Sequence, residues 1–360
     1  MLEKNVDLTG KRILVTGAAG FIGSNLVMEL LKTVENVEII GIDNMNDYYD
    51  VSLKEFRLSE IEKISGTVTG SFTFIKGNIA DKGTITGLFN GYRPQIVVNL
   101  AAQAGVRYSI ENPDAYIESN LIGFYNILEA CRHSYDNKDS DYMGVEHLVY
   151  ASSSSVYGSN KKIPYSTEDK VDNPVSLYAA TKKSDELLAH AYSKLYGIPS
   201  TGLRFFTVYG PAGRPDMAYF GFTNKLVNNE TIKIFNYGNC KRDFTYIDDI
   251  VTGVKAVMQC SPLPNSYGVK YKVYNIGNNQ PENLLDFVEI LQEELKAAKV
   301  LPEDYDFDSH KELVGMQPGD VEITYADVTE LEKDFGFKPG TSLRDGLRAF
   351  AQWYYKFYCK

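Results

Sequence analysis

The sequence predicts an α/β protein: a doubly wound parallel sheet, followed by a smaller mixed α/β region toward the C-terminal end. In the first half of the chain, the predicted strands are short, continuous apolar runs, which is typical of strands buried on both faces. These runs alternate with amphipathic stretches of helical periodicity. Such alternation places helices on both sides of a parallel sheet and predicts the fold class.

Each element follows from its own pattern. The first predicted strand, at 12–17, reads RILVTG and leads into a helix at 21–32. The second strand, at 37–43, reads VEIIGID and ends in an acidic residue. The remaining strands of this half are predicted at 72–79, 96–101, 147–153 and 201–206, and the remaining helices at 53–64, 115–131 and 177–196.

The pattern changes after residue 207, where Pro211, Gly213 and Pro215 predict a loop. Short strands are predicted at 232–235 and 272–276, and helices at 249–259, 282–297 and 342–358. We therefore expect two domains. The first comprises 1–206 with part of 244–276, and the second comprises 207–243 and 277–360.

Charge and cysteine content argue against several classes of function. The 360 residues include 37 basic and 47 acidic side chains, and the net charge of −10 opposes binding to nucleic acid or to an anionic membrane. The cysteines, at 131, 240, 260 and 359, form no zinc or disulfide pattern. The first ten residues lack the apolar core of a signal peptide, and no apolar run approaches the roughly 18 residues of a membrane span. We expect a cytoplasmic protein without a metal site.

A glycine-rich turn joins the first predicted strand to the first helix. Gly17, Gly20 and Gly23 permit a tight turn and close approach of the backbone to a pyrophosphate, which the helix N-terminus can then bind. Asp43, at the end of the second strand, can accept hydrogen bonds from ribose hydroxyls and would repel a 2′-phosphate. Because no Lys or Arg follows Asp43 before Lys54, the sequence favours NAD over NADP.

Two groups of polar residues form the predicted catalytic set. Tyr178 and Lys182 are four residues apart near the start of a helix, so they share one face. A nearby ammonium favours the phenolate, which can act as general base toward a sugar or alcohol hydroxyl. The serine cluster 152–155 ends the fifth strand, at the edge where parallel sheets bind ligands. Taken alone, the first pair also fits an accidental surface pair, and the serines also fit a turn whose backbone they satisfy.

The GxxGxxG turn, the strand-end aspartate, the serine cluster and the YxxxK pair resemble, in order and spacing, the extended short-chain dehydrogenase/reductases over essentially the whole chain. The resemblance implies a seven-stranded Rossmann domain, a smaller substrate domain, NAD as cofactor and a nucleotide-sugar as substrate. It also implies a homodimer packed through the helices at 115–131 and 177–196. The cofactor-binding residues that it implies are Gly17, Gly20, Phe21, Ile22, Gly23, Asp43, Asn44, Asn78, Ile79, Ala101, Gln103, Asn120, Tyr178 and Lys182.

Four further segments resemble the UDP-glucuronate 4-epimerases: 44–50 (NMNDYYD), 101–107 (AAQAGVR), 213–218 (GRPDMA) and 317–321 (QPGDV). This resemblance implies that Arg214 and Thr207 hold the sugar carboxylate and that Arg242 binds the diphosphate. Guanidinium groups pair well with both anions, although each arginine also fits an ordinary ion pair. The other substrate-binding residues implied are Arg107, Ser154, Met217, Ala218 and Asp320.

Some positions depart from the family pattern. Asn78 stands where relatives commonly carry an aspartate beside adenine, and Asn99 stands where they often carry a histidine. Sugar 4,6-dehydratases have an Asp–Glu pair at the positions of Ser154 and Ser155, and nucleotide-sugar acid decarboxylases generally have a glutamate near Ser155. We expect Asn78 to tune NAD affinity, and the serines to argue against elimination of water.

The resulting hypothesis is reversible C4 epimerisation of UDP-glucuronate to UDP-galacturonate through a 4-keto intermediate. Tyr178 is the expected base, Lys182 orients the nicotinamide ribose, and Ser153 with Ser155 steadies the reacting oxygen. Three alternatives remain: a 4-epimerase of neutral UDP-sugars, a UDP-glucuronate decarboxylase, and a non-catalytic NAD-binding sensor or scaffold.

Overall fold

Parallel strands dominate the computed structural model, which describes residues 1–316 and 322–360. The described strands are β1 (Arg12–Thr16), β2 (Glu38–Asp43), β3 (Ser71–Lys76), β4 (Ile96–Asn99), β5 (His147–Ser153), β6 (Ser200–Phe205), β7 (Thr207–Tyr209), β8 (Ile232–Ile234), β9 (Lys241–Tyr246), β10 (Tyr271–Ile276), β11 (Pro281–Asn283), β12 (Lys311–Leu313) and β13 (Ile323–Thr324).

The α-helices lie between and after these strands. They are α1 (Phe21–Thr33), α2 (Val51–Ser65), α3 (Lys82–Tyr92), α4 (Tyr108–Glu111), α5 (Pro113–Tyr116), α6 (Gly123–Ser134), α7 (Leu177–Tyr196), α8 (Ala218–Val227), α9 (Ile247–Met258), α10 (Leu284–Ala297), α11 (Thr329–Phe335) and α12 (Leu343–Tyr354). In the described part of the chain, no helix combines the length and the apolar character needed to cross a membrane.

The central sheet has seven strands in the order β10-β6-β5-β4-β1-β2-β3. All neighbouring strands in it are parallel, and Leu14 of β1 aligns with Ile40 of β2 on one side and with Val97 of β4 on the other. This order confirms the predicted doubly wound sheet. The strand order reverses between β1 and β4, which is where such sheets open a crevice for ligands.

Alternating side chains of the central sheet enter two separate apolar cores. Ile13 and Val15 of β1 join the core that includes α1 and α9, whereas Leu14 between them joins the core that includes α3 and α6. Because successive side chains of a strand point to opposite faces, a continuous apolar run fills both cores at once. This explains why the strands of the first half lack polar alternation.

The C-terminal region has a third core, rich in aromatic side chains. Tyr219, Phe220, Phe287 and Phe350 are almost fully buried there, and they come from α8, α10 and α12. Strand β9 pairs with β7, β11 and β13 and forms a small sheet beside this core. Strand β10, although late in the sequence, belongs to the central sheet.

The structure differs from the sequence prediction in several elements. The helix predicted at 115–131 is divided into α5, a π-helical turn over Ile117–Ile122, and α6. Helix α3 was not predicted, because glycines at 83, 87 and 91 lower its helix propensity. Strand β9 was not predicted either, since its first three residues, Lys-Arg-Asp, are charged. The final helix is shorter than predicted and continues as a π-helical turn over Tyr355–Cys359.

Candidate active site

A cavity of about 1050 Å³ lies at the carboxyl edge of the central sheet. Residues following β1 to β5 and residues at the start of α7 line one part of it, and residues from the 205–235 region line another. The cavity is therefore formed at the switch point of the sheet and closed by the C-terminal region. This is the place where doubly wound folds bind their ligands.

The glycine turn after β1 leaves backbone exposed to the cavity. Gly17 has a φ of 70°, and a Cβ at this position would lie 2.9 Å from the backbone nitrogen of Ala101. At Gly23 a Cβ would lie 2.1 Å from the carbonyl oxygen of Gly17. Neither position tolerates a side chain, so glycine is required for this close packing. The N-terminus of α1 lies on the cavity wall, where its backbone N–H groups can bind an anion.

Asp43 ends β2 on the cavity wall, where only 8% of it is exposed. Its Oδ1 accepts a hydrogen bond from the backbone of Met45 and lies 3.5 Å from Nζ of Lys54. Lys54 also donates to Asn46 at 2.8 Å and lines the same cavity. No local pattern predicts Lys54 at this position, because it lies eleven positions from Asp43, on α2.

Side-chain amides hold the segments around Asn78 and Gln103, which line the cavity. The Nδ2 of Asn78 donates to Glu118 at 3.0 Å, and its Oδ1 accepts from the backbone of Ala80 at 3.0 Å. Asn120 lies in the π-helical turn behind Gln103, where its side chain bonds the backbone N–H and carbonyl of Gln103. Asn120 therefore shapes the wall without being among the residues that line the cavity.

The serine cluster forms a short 3₁₀ turn at the end of β5. The hydroxyl of Ser155 donates to Oγ of Ser153 at 2.9 Å, and the backbone N–H of Ser155 also points to this oxygen at 3.2 Å. Ser152 points the other way and donates to buried Glu186 at 2.7 Å. Ser153 and Ser155 are thus hydrogen-bonded to each other on the cavity wall, whereas the hydroxyl of Ser152 is engaged by buried Glu186.

Helix α7 brings Tyr178 and Lys182 to the same cavity. The helix begins after Ser176, whose hydroxyl accepts a hydrogen bond from the backbone of Ala179 at 3.0 Å, so Tyr178 lies in the first turn. The Tyr178 ring packs edge-on against Tyr116 at 6.0 Å. Lys182 is almost fully buried, and its ammonium donates to the carbonyl of Ala151 at 3.0 Å.

Two buried carboxylates lie beneath this pair. Asp185 accepts a hydrogen bond from Lys182 at 3.2 Å, and burial raises the pKa of Asp185 to about 7 although Lys182 opposes the shift. Burial also acts against ionisation of Glu186, but two hydrogen bonds from Arg204, at 2.8 and 2.9 Å, lower the pKa of Glu186. The amino group of Lys182 is therefore hydrogen-bonded to Asp185, a carboxyl group whose ionisation is disfavoured by burial.

The segment 213–218 brings Arg214 to the wall near Tyr178. Its Nε donates to Asp216 at 3.0 Å and its Nη2 donates to the second oxygen of the same carboxylate. The hydroxyl of Tyr48 donates to Asp216 at 3.3 Å. Although burial disfavours the charged form, Asp216 raises the pKa of Arg214 above its usual value.

Arg57 is a structural residue of the site that the sequence analysis missed. It is 1% exposed and donates to the carbonyls of Ala19, Ala212 and Gly213 and to the hydroxyl of Tyr49. An arginine in a helix rich in charged residues is ordinarily taken for a solvent-exposed residue, and no local signal marks this one as buried.

Lys225, Lys233 and Phe235 line the cavity near the predicted Arg107 but were not themselves predicted. Lys225 and Lys233 place cationic side chains on the wall, and the guanidinium of Arg107 lies 5.8 Å from the ring centroid of Phe235. An aromatic ring next to several cations can receive a flat, anionic ligand such as a nucleotide.

Most of the predicted site residues meet in this one cavity. The predicted residues that line it are Gly17, Gly20, Phe21, Ile22, Gly23, Asp43, Asn44, Asn78, Ile79, Ala101, Gln103, Arg107, Ser153, Ser154, Ser155, Tyr178, Lys182, Thr207, Arg214, Met217 and Ala218. Arg242 is outside this set, and its Nη1 donates to the carbonyls of Lys241 and Glu322. Asp320, with the predicted segment 317–321, lies outside the described residues.

Comparison with known proteins gives consistent matches over the whole chain. The sequence profile of the family described as GDP-mannose 4,6 dehydratase matches residues 14–350. Protein CapI of Staphylococcus aureus is 49% identical over 360 residues, which cover 97% of this chain and 100% of that protein. UDP-glucuronate 4-epimerase 4 of Arabidopsis thaliana is 44% identical, with 97% of this chain and 76% of that protein covered.

A solved structure is similar over the same length. The UDP-glucuronic acid 4-epimerase of Bacillus cereus, crystallised with UDP-glucuronic acid and NAD, matches with a TM-score of 0.79 and 32% sequence identity. The match covers 96% of this chain and 100% of that chain.

Proposed function

This chain belongs to the GDP-mannose 4,6 dehydratase family of extended short-chain dehydrogenase/reductases, and we propose that it is an NAD-dependent nucleotide-sugar epimerase that interconverts UDP-glucuronate and UDP-galacturonate at C4. One observation carries the proposal: the glycine turn, the Tyr178–Lys182 pair and Arg214 all line a single cavity. A dinucleotide, a proton acceptor and a carboxylate-binding cation are the three requirements of this reaction.

The residues around the glycine turn fit NAD. A Cβ at Gly17 or Gly23 would clash with the protein's own backbone, so glycine is needed for the tight turn that binds a pyrophosphate in related folds. Asp43 is placed to accept hydrogen bonds from the adenosine ribose, as in related folds. When bound, NAD supplies a hydride acceptor and donor for the sugar. We assign NAD binding to the region of the central sheet, and UDP-sugar binding to 207–243 and 277–360.

The chain itself supplies proton transfer and orientation. In the proposed reaction, Tyr178 takes the proton of the C4 hydroxyl and returns it after the sugar has turned over. Lys182, almost fully buried one turn further along α7, is the residue to which we assign orientation of the nicotinamide ribose. Ser153, whose Oγ already accepts hydrogen bonds from Ser155, donates to the reacting oxygen.

Arg214 and Thr207 provide the proposed selectivity for an acidic sugar. A guanidinium can bind a carboxylate with two parallel hydrogen bonds. The 4-keto intermediate of a sugar acid is a β-keto acid and loses CO₂ readily if its carboxylate is aligned for cleavage. Holding the carboxylate out of that alignment is the second role that we assign to Arg214.

We also propose that the protein is a homodimer. Helix α7 packs beside α6 and carries Leu187 and Leu195 with 61% and 69% of their surface exposed. Ile122, at the end of the π-helical turn, and Tyr125, in the first turn of α6, are also exposed. Apolar side chains grouped on two adjacent helices support a face that a second copy covers.

The deciding experiment is an NMR time course of the purified protein with UDP-glucuronate and NAD. We expect UDP-galacturonate to accumulate to an equilibrium that is also reached from the opposite direction. Release of CO₂ with a UDP-pentose would instead identify a decarboxylase, and faster conversion of UDP-glucose would identify a neutral-sugar epimerase. Absence of any turnover, with NAD still bound, would favour the sensor or scaffold.

A further inference from the structure

We propose that Asp216 is a specificity-determining residue, which occupies Arg214 when no acidic sugar is bound and competes with the sugar carboxylate for this guanidinium. The inference rests on the proposed function, because it concerns the residue to which we assign the sugar carboxylate. It assigns a role to Asp216 that the sequence analysis did not consider.

The geometry of the pair resembles the contact that a substrate carboxylate would make. Nε and Nη2 of Arg214 donate to the two oxygens of Asp216, in the parallel arrangement by which guanidinium binds carboxylate. Both side chains line the cavity and are only partly exposed, at 26% and 29%. An incoming carboxylate must therefore displace Asp216 or share the guanidinium with it.

The backbone turn at residues 214–217 holds Arg214 and Asp216 close to each other. The N–H of Met217 donates to the carbonyl of Arg214 at 3.1 Å and closes a turn with Pro215 at its second position. Arg214 and Asp216 are the first and third residues of this turn. Arg57 fixes the preceding backbone through the carbonyl of Gly213 at 2.9 Å. The pair is thus a product of an anchored turn.

Tyr48 supports Asp216 from the other side of the cavity mouth. Its hydroxyl donates to Asp216, and a Cβ at Gly105 would lie 2.9 Å from this hydroxyl, so the three groups are closely packed. Burial, together with the charge of Asp216, raises the pKa of Tyr48 to about 12. Tyr48 therefore remains a hydrogen-bond donor to Asp216 throughout the neutral pH range.

Because Asp216 competes for Arg214, the protein should prefer acidic over neutral sugars less strongly than it would with Arg214 alone. A neutral sugar leaves the pair of Arg214 and Asp216 intact and creates no unpaired cation. An acidic sugar gains Arg214 but meets the negative charge of Asp216, which lowers its affinity. Because substrate and product both carry the carboxylate, the same competition assists product release.

Asp216→Asn tests the inference, since it keeps the shape and removes the charge. By calorimetry on the NAD-loaded protein, we expect the Kd of UDP-glucuronate to fall about five- to tenfold, as for a partly exposed charge near an ion pair. The Kd of UDP-glucose should change by less than about twofold. Asp216→Ala should shift the ratio in the same direction, because the effect comes from the charge.

Asp47→Asn is the matched control. It removes the same charge from the segment that carries Tyr48, but Asp47 does not line the cavity. The ratio of the two affinities should be unchanged in this variant. If Asp47→Asn strengthened UDP-glucuronate binding as much as Asp216→Asn does, the effect would come from the net charge of the protein and not from the position of Asp216. That result would overturn the inference.

The outcomes separate this inference from the proposed function. If both Asp216 variants change the affinities for UDP-glucuronate and UDP-glucose by the same factor, Asp216 only supports the turn and the inference is wrong. If the wild type binds UDP-glucuronate but does not epimerise it, the proposed function fails, while the affinity ratio still decides the role of Asp216. If no variant binds UDP-glucuronate, both fail.

Discussion

The guanidinium of Arg57 donates two hydrogen bonds to the carbonyl oxygen of Ala212, through Nε at 2.9 Å and Nη2 at 2.8 Å. The same side chain reaches the carbonyl of Ala19 in the glycine turn at 3.0 Å. One buried arginine on α2 therefore joins the proposed NAD-binding turn to the segment that carries Arg214.

Arg57→Met should destabilise the protein because it leaves buried carbonyl groups without a donor. We expect a loss of about 3 kcal/mol or more in the free energy of unfolding, measured by denaturant titration. Lys63→Met on the same helix is the control, since its side chain is 69% exposed and should cost less than about 1 kcal/mol. Equal stability of the two variants would contradict the anchoring role of Arg57.

Tyr178→Phe should lower turnover by at least about a hundredfold, the usual lower range for a lost general base. NAD affinity should change little, because the hydroxyl is not a main anchor of the cofactor. Steady-state rates and calorimetry with NAD measure the two effects. Tyr267→Phe, at a tyrosine that is 77% exposed, should behave as wild type. Near wild-type turnover of Tyr178→Phe would remove the proposed base.

Asp43→Ala should weaken NAD binding and narrow the preference for NAD over NADP. The variant removes the acceptor for the ribose hydroxyls and also leaves Lys54, 3.5 Å from the lost carboxylate, free to approach a 2′-phosphate. Titration of both cofactors gives the two affinities. The interpretation fails if the wild type binds NAD and NADP equally.

Arg214→Ala should reduce kcat/KM on UDP-glucuronate by roughly ten- to hundredfold, which corresponds to about 1.5–3 kcal/mol for hydrogen bonds to a charged group. NAD affinity serves as the internal control and should be retained. If Arg214 also restrains decarboxylation, a UDP-pentose should appear slowly while epimerisation falls. Unchanged kcat/KM would exclude the assigned contact with the carboxylate.

Asp185 should make stability depend on pH in the acid-to-neutral range. Its pKa rises from 3.8 to about 7 on folding, so the folded protein binds more protons than the unfolded chain between these values. The free energy of unfolding should therefore fall as the pH rises from about 4 to 7. Asp185→Asn should remove the part of this decline that comes from Asp185. Between pH 4 and pH 7, the free energy of unfolding should fall by at least about 1 kcal/mol more in the wild type than in the variant.

Denaturant titrations at several pH values measure both slopes. Comparison with Asp185→Asn cancels the contributions of other carboxylates, which titrate in both proteins. Parallel profiles would show that Asp185 keeps the same protonation state on folding.

Local patterns were sufficient for the central sheet and for much of the site. Strands such as His147–Ser153 and the helix Leu177–Tyr196 were predicted with the bounds that the structure has. The positions lining the cavity could be named because the glycine turn and the serine cluster each follow a strand directly, and the carboxyl ends of parallel strands meet at one edge. The roles of these residues stay predictions until the variants are measured.

Features that combine distant segments could not be predicted. Lys54 lies beside Asp43, and Arg57 joins Ala19 to Ala212, because α2 packs between the glycine turn and the 210–216 loop. The helix predicted at 115–131 is interrupted at Asn120, whose amide bonds Gln103 and Thr181 from two other segments. Such contacts depend on tertiary packing, which overrides local helix propensity.

The sequence by itself determined the alternation of strands and helices, the bare glycine turn and the shared face of Tyr178 and Lys182, because each depends on residues a few positions apart. Only the tertiary structure decided that Arg57 is buried, that Lys54 lies beside Asp43, and that β10 joins the central sheet beside β6. Periodicity records which face of an element is apolar. It does not record which distant group will meet that face, since this is set by the packing of the whole chain.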